Sequence, residues 1–229
     1  MEVLAMILAG GRGSRLDILS ENRVKPSVPF AGKFRIIDFT FFFFSSRRRH
    51  NCSNSGIYDV ALLTQYLPFS LNEHIGSGKP WDFDRRDSGI ALLQPHEKPD
   101  GQVWYTGTAD AVKQNIEYIK RKNPEYVIIL SGDHIYKMNY NWMIEDHKKN
   151  NAELTIAVKT VPWEETNRFG IFEVDDTKQI LGFEEKPKEA KSNLASMGIY
   201  VFDTNILIDY LEKMCDDELD FGKHIIPAM

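Results

Sequence analysis

Residues 3–8 have the sequence VLAMIL, and the glycine-rich residues 9–16, AGGRGSRL, follow directly. A continuous apolar run that ends in glycines is typical of a strand buried on both faces of a parallel sheet. The run lacks a basic leading segment and is far shorter than the roughly 18 apolar residues of a membrane span. We therefore predict that it forms the first strand of an α/β fold, with a ligand-binding loop after its carboxyl end.

Further apolar runs and helical patterns alternate along the chain behind this strand. The apolar runs cover residues 58–64, 126–131 and 154–161, and the helical patterns cover residues 108–122, 140–150 and 205–214. Thr108 is the predicted N-cap of the first of these helices, and from Phe169 onward the pattern changes to short strands. The alternation predicts a Rossmann-like α/β fold with a mostly parallel central sheet flanked by helices. Residues 1–229 are expected to form one domain, because neither a repeat nor a linker divides them.

The composition is that of an ordinary soluble globular protein. Of 229 residues, 28 are basic and 33 are acidic, which gives a net charge of −5 and no general attraction for nucleic acid. Neither a membrane span nor a signal peptide is indicated. Cys52 and Cys215 lie far apart and form no C-x-x-C pattern, which favours a reducing, cytoplasmic location and argues against a disulfide framework or a zinc site.

Residues 41–50, FFFFSSRRRH, do not follow the strand and helix pattern on either side. A basic patch for nucleic acid or membrane is one interpretation. A solvated insertion or a sequence error is favoured over it, since four adjacent phenylalanines cannot all face one core from a regular strand. We predict that the block is locally irregular and dispensable, and we assign it no function.

The loop after the first strand has the chemistry of a phosphate site. Gly10, Gly11 and Gly13 allow backbone N–H groups to approach phosphate oxygens, and Arg15 adds a fork of donors. The loop lacks the lysine of a P-loop, and Leu16 stands where a dinucleotide fingerprint has glycine. A tight turn without a ligand is the alternative interpretation.

Two further residues are candidates for the same ligand. Lys25 lies in a segment stiffened by Pro26 and Pro29, from which it could reach a phosphate. Asp133 follows the run 126–131, where ligands of open α/β sheets bind, and its carboxylate suits Mg²⁺ held together with substrate phosphates. An exposed surface lysine and a turn-capping aspartate are the alternatives.

The motifs, taken in order, resemble those of one enzyme family. They are GGRGSRL, RVKPSVPFAGKFRIIDF, NSGIYDVALLTQY, SLNEHIGSGKPWDFDR, WYTGTADAV, SGDHIYKMNY, RFGIFEVD, FEEKP, ASMGIYVF and DFGKHIIP. The chain closely resembles the bacterial ADP-glucose pyrophosphorylases, or glucose-1-phosphate adenylyltransferases, over essentially all residues outside 41–50. The resemblance implies the nucleotide-diphospho-sugar transferase fold and the N-terminal catalytic domain of that family.

The resemblance also implies a reaction, in which ATP and α-D-glucose 1-phosphate give ADP-glucose and pyrophosphate for glycogen synthesis. It implies catalytic roles for Arg15, Lys25 and Asp133, and Mg²⁺ bound by Asp133 and Asp220. The implied nucleotide-binding residues are Gly10, Gly11, Gly13, Gln65, Trp104, Tyr105 and Gly107. The implied glucose 1-phosphate-binding residues are Gly170, Glu185, Lys186 and Ser196.

Full-length members of the family are expected to be homotetramers with a C-terminal left-handed β-helix domain, which residues 1–229 do not include. Three other functions stay open at this point. They are a sugar nucleotidylyltransferase that uses UTP, dTTP or GTP, a catalytically weak regulatory subunit of the same fold, and a module that binds nucleotide without releasing pyrophosphate.

Overall fold

The computed structural model describes residues 2–11, 23–30, 32–41, 51–86, 88–96, 101, 104–215 and 220–229. The strands are β1 (Val3–Leu8), β2 (Pro29–Phe30), β3 (Phe34–Arg35), β4 (Asp59–Leu63), β5 (Gly89–Leu93), β6 (Tyr126–Ser131), β7 (Leu154–Thr160), β8 (Gly170–Val174), β9 (Ile180–Glu185) and β10 (Leu194–Asp203). The helices are α1 (Ile36–Phe41), α2 (Phe69–Ile75), α3 (Thr108–Lys113), α4 (Ile116–Lys122), α5 (Tyr140–Lys149), α6 (Thr204–Lys213) and α7 (Ile226–Ala228).

The central sheet has the order β5-β4-β1-β6-β10-β8-β9, and β7 pairs with β10. The strands β5, β4, β1 and β6 are parallel, whereas β10, β7, β8 and β9 join in antiparallel pairs. Strands β8, β9 and β10 follow Phe169, where the sequence predicts a change of pattern, but the apolar run 154–161 forms β7, which pairs antiparallel with β10 instead of joining the parallel strands. The predicted α/β class with parallel strands at its centre is confirmed.

The core occupies both faces of the sheet because successive side chains of a strand point to opposite faces. In β1, Ala5 and Ile7 pack into the cluster that includes Met143 and Ile144 of α5. Leu4 and Met6 pack into the other cluster, which includes residues of α3, α4 and α6. The whole of β1 is therefore sandwiched, as its continuous apolar sequence predicts.

The register of the parallel strands aligns their carboxyl ends. Leu8 of β1 lies opposite Leu63 of β4 on one side and Ser131 of β6 on the other. The residues that follow these three strands therefore meet at one edge of the sheet, which we call the carboxyl edge. Among the described helices, none has the length and apolar character that crossing a membrane requires.

The helix predicted over residues 108–122 is interrupted. It forms α3 and α4, separated at Gln114 and Asn115. The Asn115 side chain donates hydrogen bonds to the Tyr105 hydroxyl at 3.0 Å and to the Ala111 carbonyl at 2.8 Å. Asparagine side chains compete in this way with regular helical bonding. The prediction of Thr108 as N-cap is also wrong, since Gly107 holds that position and makes no side-chain cap bond.

The prediction that residues 41–50 are locally irregular is wrong at the first of these residues. Phe41 ends α1 and is fully buried, with its ring 5.1 Å from that of Trp81 and 5.4 Å from that of Phe83. A helical position can direct this phenylalanine into the core, which the argument from strand alternation did not consider. The rest of the block, residues 42–50, lies outside the described residues.

Candidate active site

Three chain segments meet at the carboxyl edge, after β1, β4 and β6. The Ala9 amide donates to the Leu63 carbonyl at 2.9 Å, and the Gly132 amide donates to the Leu8 carbonyl at 3.0 Å. A Cβ atom on Gly10 would lie 3.1 Å from Cβ of Gln65, so glycine permits the close approach of these two segments. Among the described residues, no atom lies within 4 Å of a Cβ position on Gly11.

Lys25 and Asp133 form an ion pair at this edge. The Lys25 ammonium donates to Oδ2 of Asp133 at 2.6 Å, and the Ser131 hydroxyl donates to Oδ1 at 2.5 Å. Burial would raise the pKa of Asp133, but the hydrogen bonds from Lys25 and Ser131 outweigh it and leave that pKa below its ordinary value. The carboxylate is therefore charged at neutral pH. Both side chains are about one-third exposed, at 34% and 30%, so a ligand can reach them.

Lys25 is held at this place by local structure. Residues Lys25–Ser27 form a single 3-10 turn with Pro26 in its first positions. Proline fixes its own φ and suits the start of a helical turn, as the sequence predicted for this stiffened segment. The turn also contacts α2, because the Ser27 and Ser70 hydroxyls lie 2.5 Å apart.

His134 connects Asp133 with the antiparallel half of the sheet. Its Nε2 lies 3.6 Å from Oδ1 of Asp133, and its Cε1 lies 3.5 Å from a Cβ position on Gly198. Burial lowers the pKa of this imidazole despite the neighbouring carboxylate, so the ring is neutral at pH 7. Gly198 adopts a φ of +67°, within a register shift of β10 between Ser196 and Tyr200. The contact with His134 places this part of β10 next to the residues that follow β6.

Glu185 and Lys186 lie at the end of β9, as the sequence predicted. The Lys186 ammonium is 2.9 Å from Oε1 of Glu185, and the Lys186 amide donates to the Phe169 carbonyl at 3.0 Å. Gly170 lies across from this tip, paired with Glu185. A Cβ atom on Gly170 would come within 3.0 Å of Oε2 of Glu185 and 2.6 Å of the Phe183 ring. Any side chain at Gly170 would therefore displace the Phe183 ring and crowd the glutamate.

Ser196 of β10 belongs to the same group through Tyr200. The Ser196 and Tyr200 hydroxyl oxygens are 3.4 Å apart. Burial raises the pKa of the Tyr200 phenol, the Ser196 hydrogen bond opposes this, and the charges of Asp220 and Glu185 raise it further. The Tyr200 ring also lies 5.9 Å from that of Phe221, the residue that follows Asp220. The sequence analysis did not select it, because a tyrosine within an alternating strand has the pattern of a core residue.

Asp220 caps the π turn formed by Phe221–Ile225. Its Oδ1 accepts hydrogen bonds from the amides of Gly222 at 2.9 Å and Lys223 at 3.3 Å. Its Oδ2 accepts from the Thr108 hydroxyl at 3.0 Å. Thr108 is a second residue that the sequence analysis did not assign to the site, because a threonine before a helical pattern suggests only a cap.

Hydrogen bonds of the Gln65 side chain connect the segment Trp104–Gly107 to the loop after β4. The Gln65 amide nitrogen donates to the Tyr105 carbonyl at 3.2 Å, and the Tyr105 amide donates to the Gln65 side-chain oxygen. The Tyr105 ring is buried, whereas 55% of Trp104 is exposed. Of the two predicted nucleotide-binding aromatics, Trp104 is therefore the one whose ring surface is open to a ligand.

The remaining predicted site residues divide into two groups. Gly107 lies in the described segment just before α3. Gly13 and Arg15 lie outside the described residues, so their predicted roles stay predictions.

In the described part of the chain, hydrogen bonds leave some lone-pair positions open on the carboxylates of both Asp133 and Asp220. A carboxylate offers about four lone-pair positions. Hydrogen bonds occupy two of these positions on Asp133 and three on Asp220. Within the described ranges there is no group of three or more histidine, cysteine or acidic side chains arranged to bind a metal. Mg²⁺ is commonly bound by only one or two carboxylates together with phosphate oxygens and water.

Comparisons with known proteins point to one family. A family model described as nucleotidyl transferase matches residues 4–229. A glucose-1-phosphate adenylyltransferase of Clostridium perfringens (strain SM101) is 56% identical over 234 residues, which cover 100% of this chain and 58% of that protein. The Clostridium acetobutylicum enzyme of the same name is 56% identical over 231 residues, covering 100% of this chain and 59% of the relative. The Lachnospira eligens enzyme of the same name is 55% identical over 227 residues, which cover 99% of this chain and 52% of the relative. The chain thus spans a little over half the length of these relatives.

Proposed function

The chain belongs to the nucleotidyl transferase family, and from that premise we propose that it acts as a glucose-1-phosphate adenylyltransferase. The reaction joins ATP and α-D-glucose 1-phosphate to give ADP-glucose and pyrophosphate. The observation that carries the proposal is the meeting of the glycine loop, Lys25 and Asp133 at the carboxyl edge, in a chain 56% identical to an enzyme of that name. We further propose that residues 1–229 form the catalytic domain.

The chemistry requires positioning and charge neutralisation rather than a general base. An oxygen of the sugar phosphate attacks the α-phosphorus of ATP, and it is already anionic. Catalysis then consists of holding the two phosphates in line and stabilising the charge that develops between them. The amides around Gly10 and Gly11, with Gly13 and Arg15, suit the triphosphate. The ammonium of Lys25 suits the transition state.

The charges of Lys25 and Asp133 balance each other. When substrate phosphates bind, the Lys25 ammonium can donate to a phosphate oxygen instead of the Asp133 carboxylate. Enzymes of this family generally use a divalent metal ion, and we propose Mg²⁺ with Asp133 and Asp220 as its protein ligands. The bound ion would neutralise charge on the phosphates.

The glucose 1-phosphate side lies around the end of β9. We propose that Lys186 binds the phosphate, since its side chain is 57% exposed and directly follows β9. Glu185, Ser196 and the backbone at Gly170 would bind the sugar hydroxyls. Gln65, Trp104, Tyr105 and Gly107 would border the nucleotide. Assembly into a homotetramer, as expected for full-length relatives, stays a prediction.

Pyrophosphate release tests this proposal. The chain is assayed with ATP, UTP, dTTP and GTP, each with and without glucose 1-phosphate. We expect release with ATP that depends on the sugar phosphate. Faster release with another nucleotide would assign the chain to a different branch of the family. Binding of ATP without any release would identify a nucleotide-binding module or a regulatory subunit.

A further inference from the structure

One hydroxyl group joins two parts of the site that are distant in sequence. The Thr108 side chain donates a hydrogen bond to Oδ2 of Asp220 at 3.0 Å and accepts one from the Phe221 amide at 3.0 Å. A hydroxyl group has one donor and two acceptor positions, so it makes both bonds at once. A valine in its place would have a similar shape but could make neither bond.

The two ends of this contact belong to different halves of the proposed site. Thr108 is the first residue of α3 and follows the segment Trp104–Gly107, which Gln65 fastens at the carboxyl edge. Asp220 opens the turn that leads toward Glu185. A Cβ position on Gly222 lies 3.7 Å from Oε2 of that glutamate. The hydroxyl of Thr108 therefore connects the nucleotide side directly to the sugar-phosphate side.

The bond also fixes the direction of the Asp220 carboxylate. Its Oδ1 is held by the amides of Gly222 and Lys223, and Thr108 holds the other oxygen. Without the Thr108 hydroxyl, Oδ2 of Asp220 loses this hydrogen bond, and the carboxylate is held only through Oδ1. The amide of the buried Phe221 also loses its hydrogen-bond acceptor. A buried donor without a partner is costly, so the turn would shift, and Gly222 would shift with it relative to Glu185.

We infer that Thr108 is a positioning residue that sets Asp220 and the following turn for binding of the sugar phosphate. This inference rests on the proposed function, because the substrate it names comes from there. Thr108 itself need not contact either substrate.

The test compares Thr108→Val, which removes the hydroxyl, with Thr108→Ser, which keeps it. Thr108→Val should raise the KM for glucose 1-phosphate about tenfold, the scale of one hydrogen bond to a charged acceptor, and leave the KM for ATP within about twofold. Thr108→Ser should behave as the wild type. Thr177→Val is the matched control, because the Thr177 hydroxyl also binds an aspartate, Asp175, at 2.6 Å but on an exposed turn.

A second measurement does not depend on turnover. Hydrogen exchange of the Phe221, Gly222 and Lys223 amides should be faster in Thr108→Val than in Thr108→Ser, while exchange in β6 stays unchanged. If Thr108→Val does not fold, Thr108→Ala, which also removes the hydroxyl, should show the same pattern of KM and exchange.

The outcomes separate the two proposals. A wild-type chain that binds neither ATP nor glucose 1-phosphate would overturn the proposed function, and the positioning role with it. In a chain that binds both, equal KM values for Thr108→Val and wild type would overturn the positioning role alone. So would a Thr108→Ser variant as impaired as Thr108→Val.

Discussion

The proposed binding of glucose 1-phosphate by Lys186 leads to a prediction for a single residue. Its ammonium is balanced by Glu185 at 2.9 Å, and 57% of the side chain is exposed. Lys186→Ala should raise the KM for glucose 1-phosphate by roughly ten- to hundredfold, because a phosphate loses a charge-assisted contact of about 1.5–3 kcal/mol. The KM for ATP should change little. Steady-state kinetics with each substrate varied in turn measure both.

Lys188 provides the control for that variant. It is an exposed lysine two positions further along the chain, so Lys188→Ala removes the same charge from the same surface. Equal effects on the two KM values, or equal effects of the two variants, would remove Lys186 from the proposed role.

The Lys25–Asp133 pair yields a prediction in the absence of any substrate. Hydrogen bonds from Lys25 and Ser131 hold the pKa of Asp133 below its ordinary value although burial opposes them. A carboxyl group with a lowered pKa stabilises the fold above its unfolded pKa, near 3.9, and this contribution is lost as the pH falls through the folded pKa. Lys25→Met should therefore unfold at a higher pH than the wild type on acid titration, followed by circular dichroism.

The same variant should lose activity at neutral pH. Removal of one electrostatic contact to a transition state typically lowers kcat by about 10²–10³-fold. Lys25→Arg keeps the charge and should retain the acid stability even if its geometry reduces kcat. If Lys25→Met matched the wild type in both respects, the ion pair would have no part in the site.

Among the elements, α5 carries a histidine whose charge opposes folding. His147 is 1% exposed and its Nδ1 lies 2.8 Å from the Thr155 hydroxyl, while its Nε2 has no hydrogen-bond partner in the part of the chain that the structure describes. Burial lowers the pKa of this imidazole, although Asp203 raises it in part. Below about pH 6.5 the unfolded chain gains a proton that the folded chain resists, so stability falls as the pH falls.

His147→Gln should therefore flatten the fall of the thermal midpoint between pH 7 and pH 5. His134, whose pKa is also lowered by burial, would keep part of the slope. His96→Gln changes an exposed histidine and should leave the slope unaltered. A slope that is the same in His147→Gln and wild type would show that protonation of His147 does not limit the stability of α5.

The sequence predicts the positions of helices and strands better than it predicts interruptions within them. The bounds of β1 and β6 match the apolar runs, because a sandwiched strand must be apolar throughout. The break between α3 and α4 has no such signal. The break depends on the hydrogen bonds that the Asn115 side chain donates to Tyr105 and Ala111. Because Tyr105 lies outside the helix, the local sequence does not indicate this bond.

For the molecule as a whole, residues 42–50 are predicted to be dispensable, whereas Phe41 is not. The chain on the two sides of this segment is already joined, because the Cys52 amide donates to the Thr40 carbonyl at 3.5 Å and the Asn51 side chain donates to the Phe39 carbonyl. Replacing residues 42–50 by a short glycine-serine linker should leave the thermal midpoint unchanged or higher. Phe41→Ala should lower the free energy of unfolding by about 3–5 kcal/mol, the usual cost in a core.

Denaturant unfolding of both variants measures these effects. Phe41→Leu, which retains most of the apolar volume, should fall between Phe41→Ala and the wild type. Loss of folding in the linker variant would show that residues 42–50 are structural. A stable Phe41→Ala variant would contradict the packing against Trp81 and Phe83.

The candidate site could be predicted from the sequence only as separate pieces. Strand ends locate Gly10, Gln65 and Asp133 at one edge, because parallel strands end on the same side of a sheet. Contacts between distant segments have no local signal. Lys25 and Asp133 are 108 positions apart, and Thr108 and Asp220 are 112 apart. Tyr200 has no local signal either, because its place in an alternating strand is typical of a core residue.

The fate of the α-phosphate is the most direct test of the central claim, which is that the carboxyl edge transfers a nucleotide to a sugar phosphate. The chain is incubated with glucose 1-phosphate and ATP labelled at the α-phosphate, and the products are separated. We predict that the label appears in ADP-glucose, only when glucose 1-phosphate is present, and that Asp133→Asn slows its appearance about 10²-fold or more. Label that remained in ATP, or that appeared in ADP or AMP without the sugar phosphate, would contradict the account.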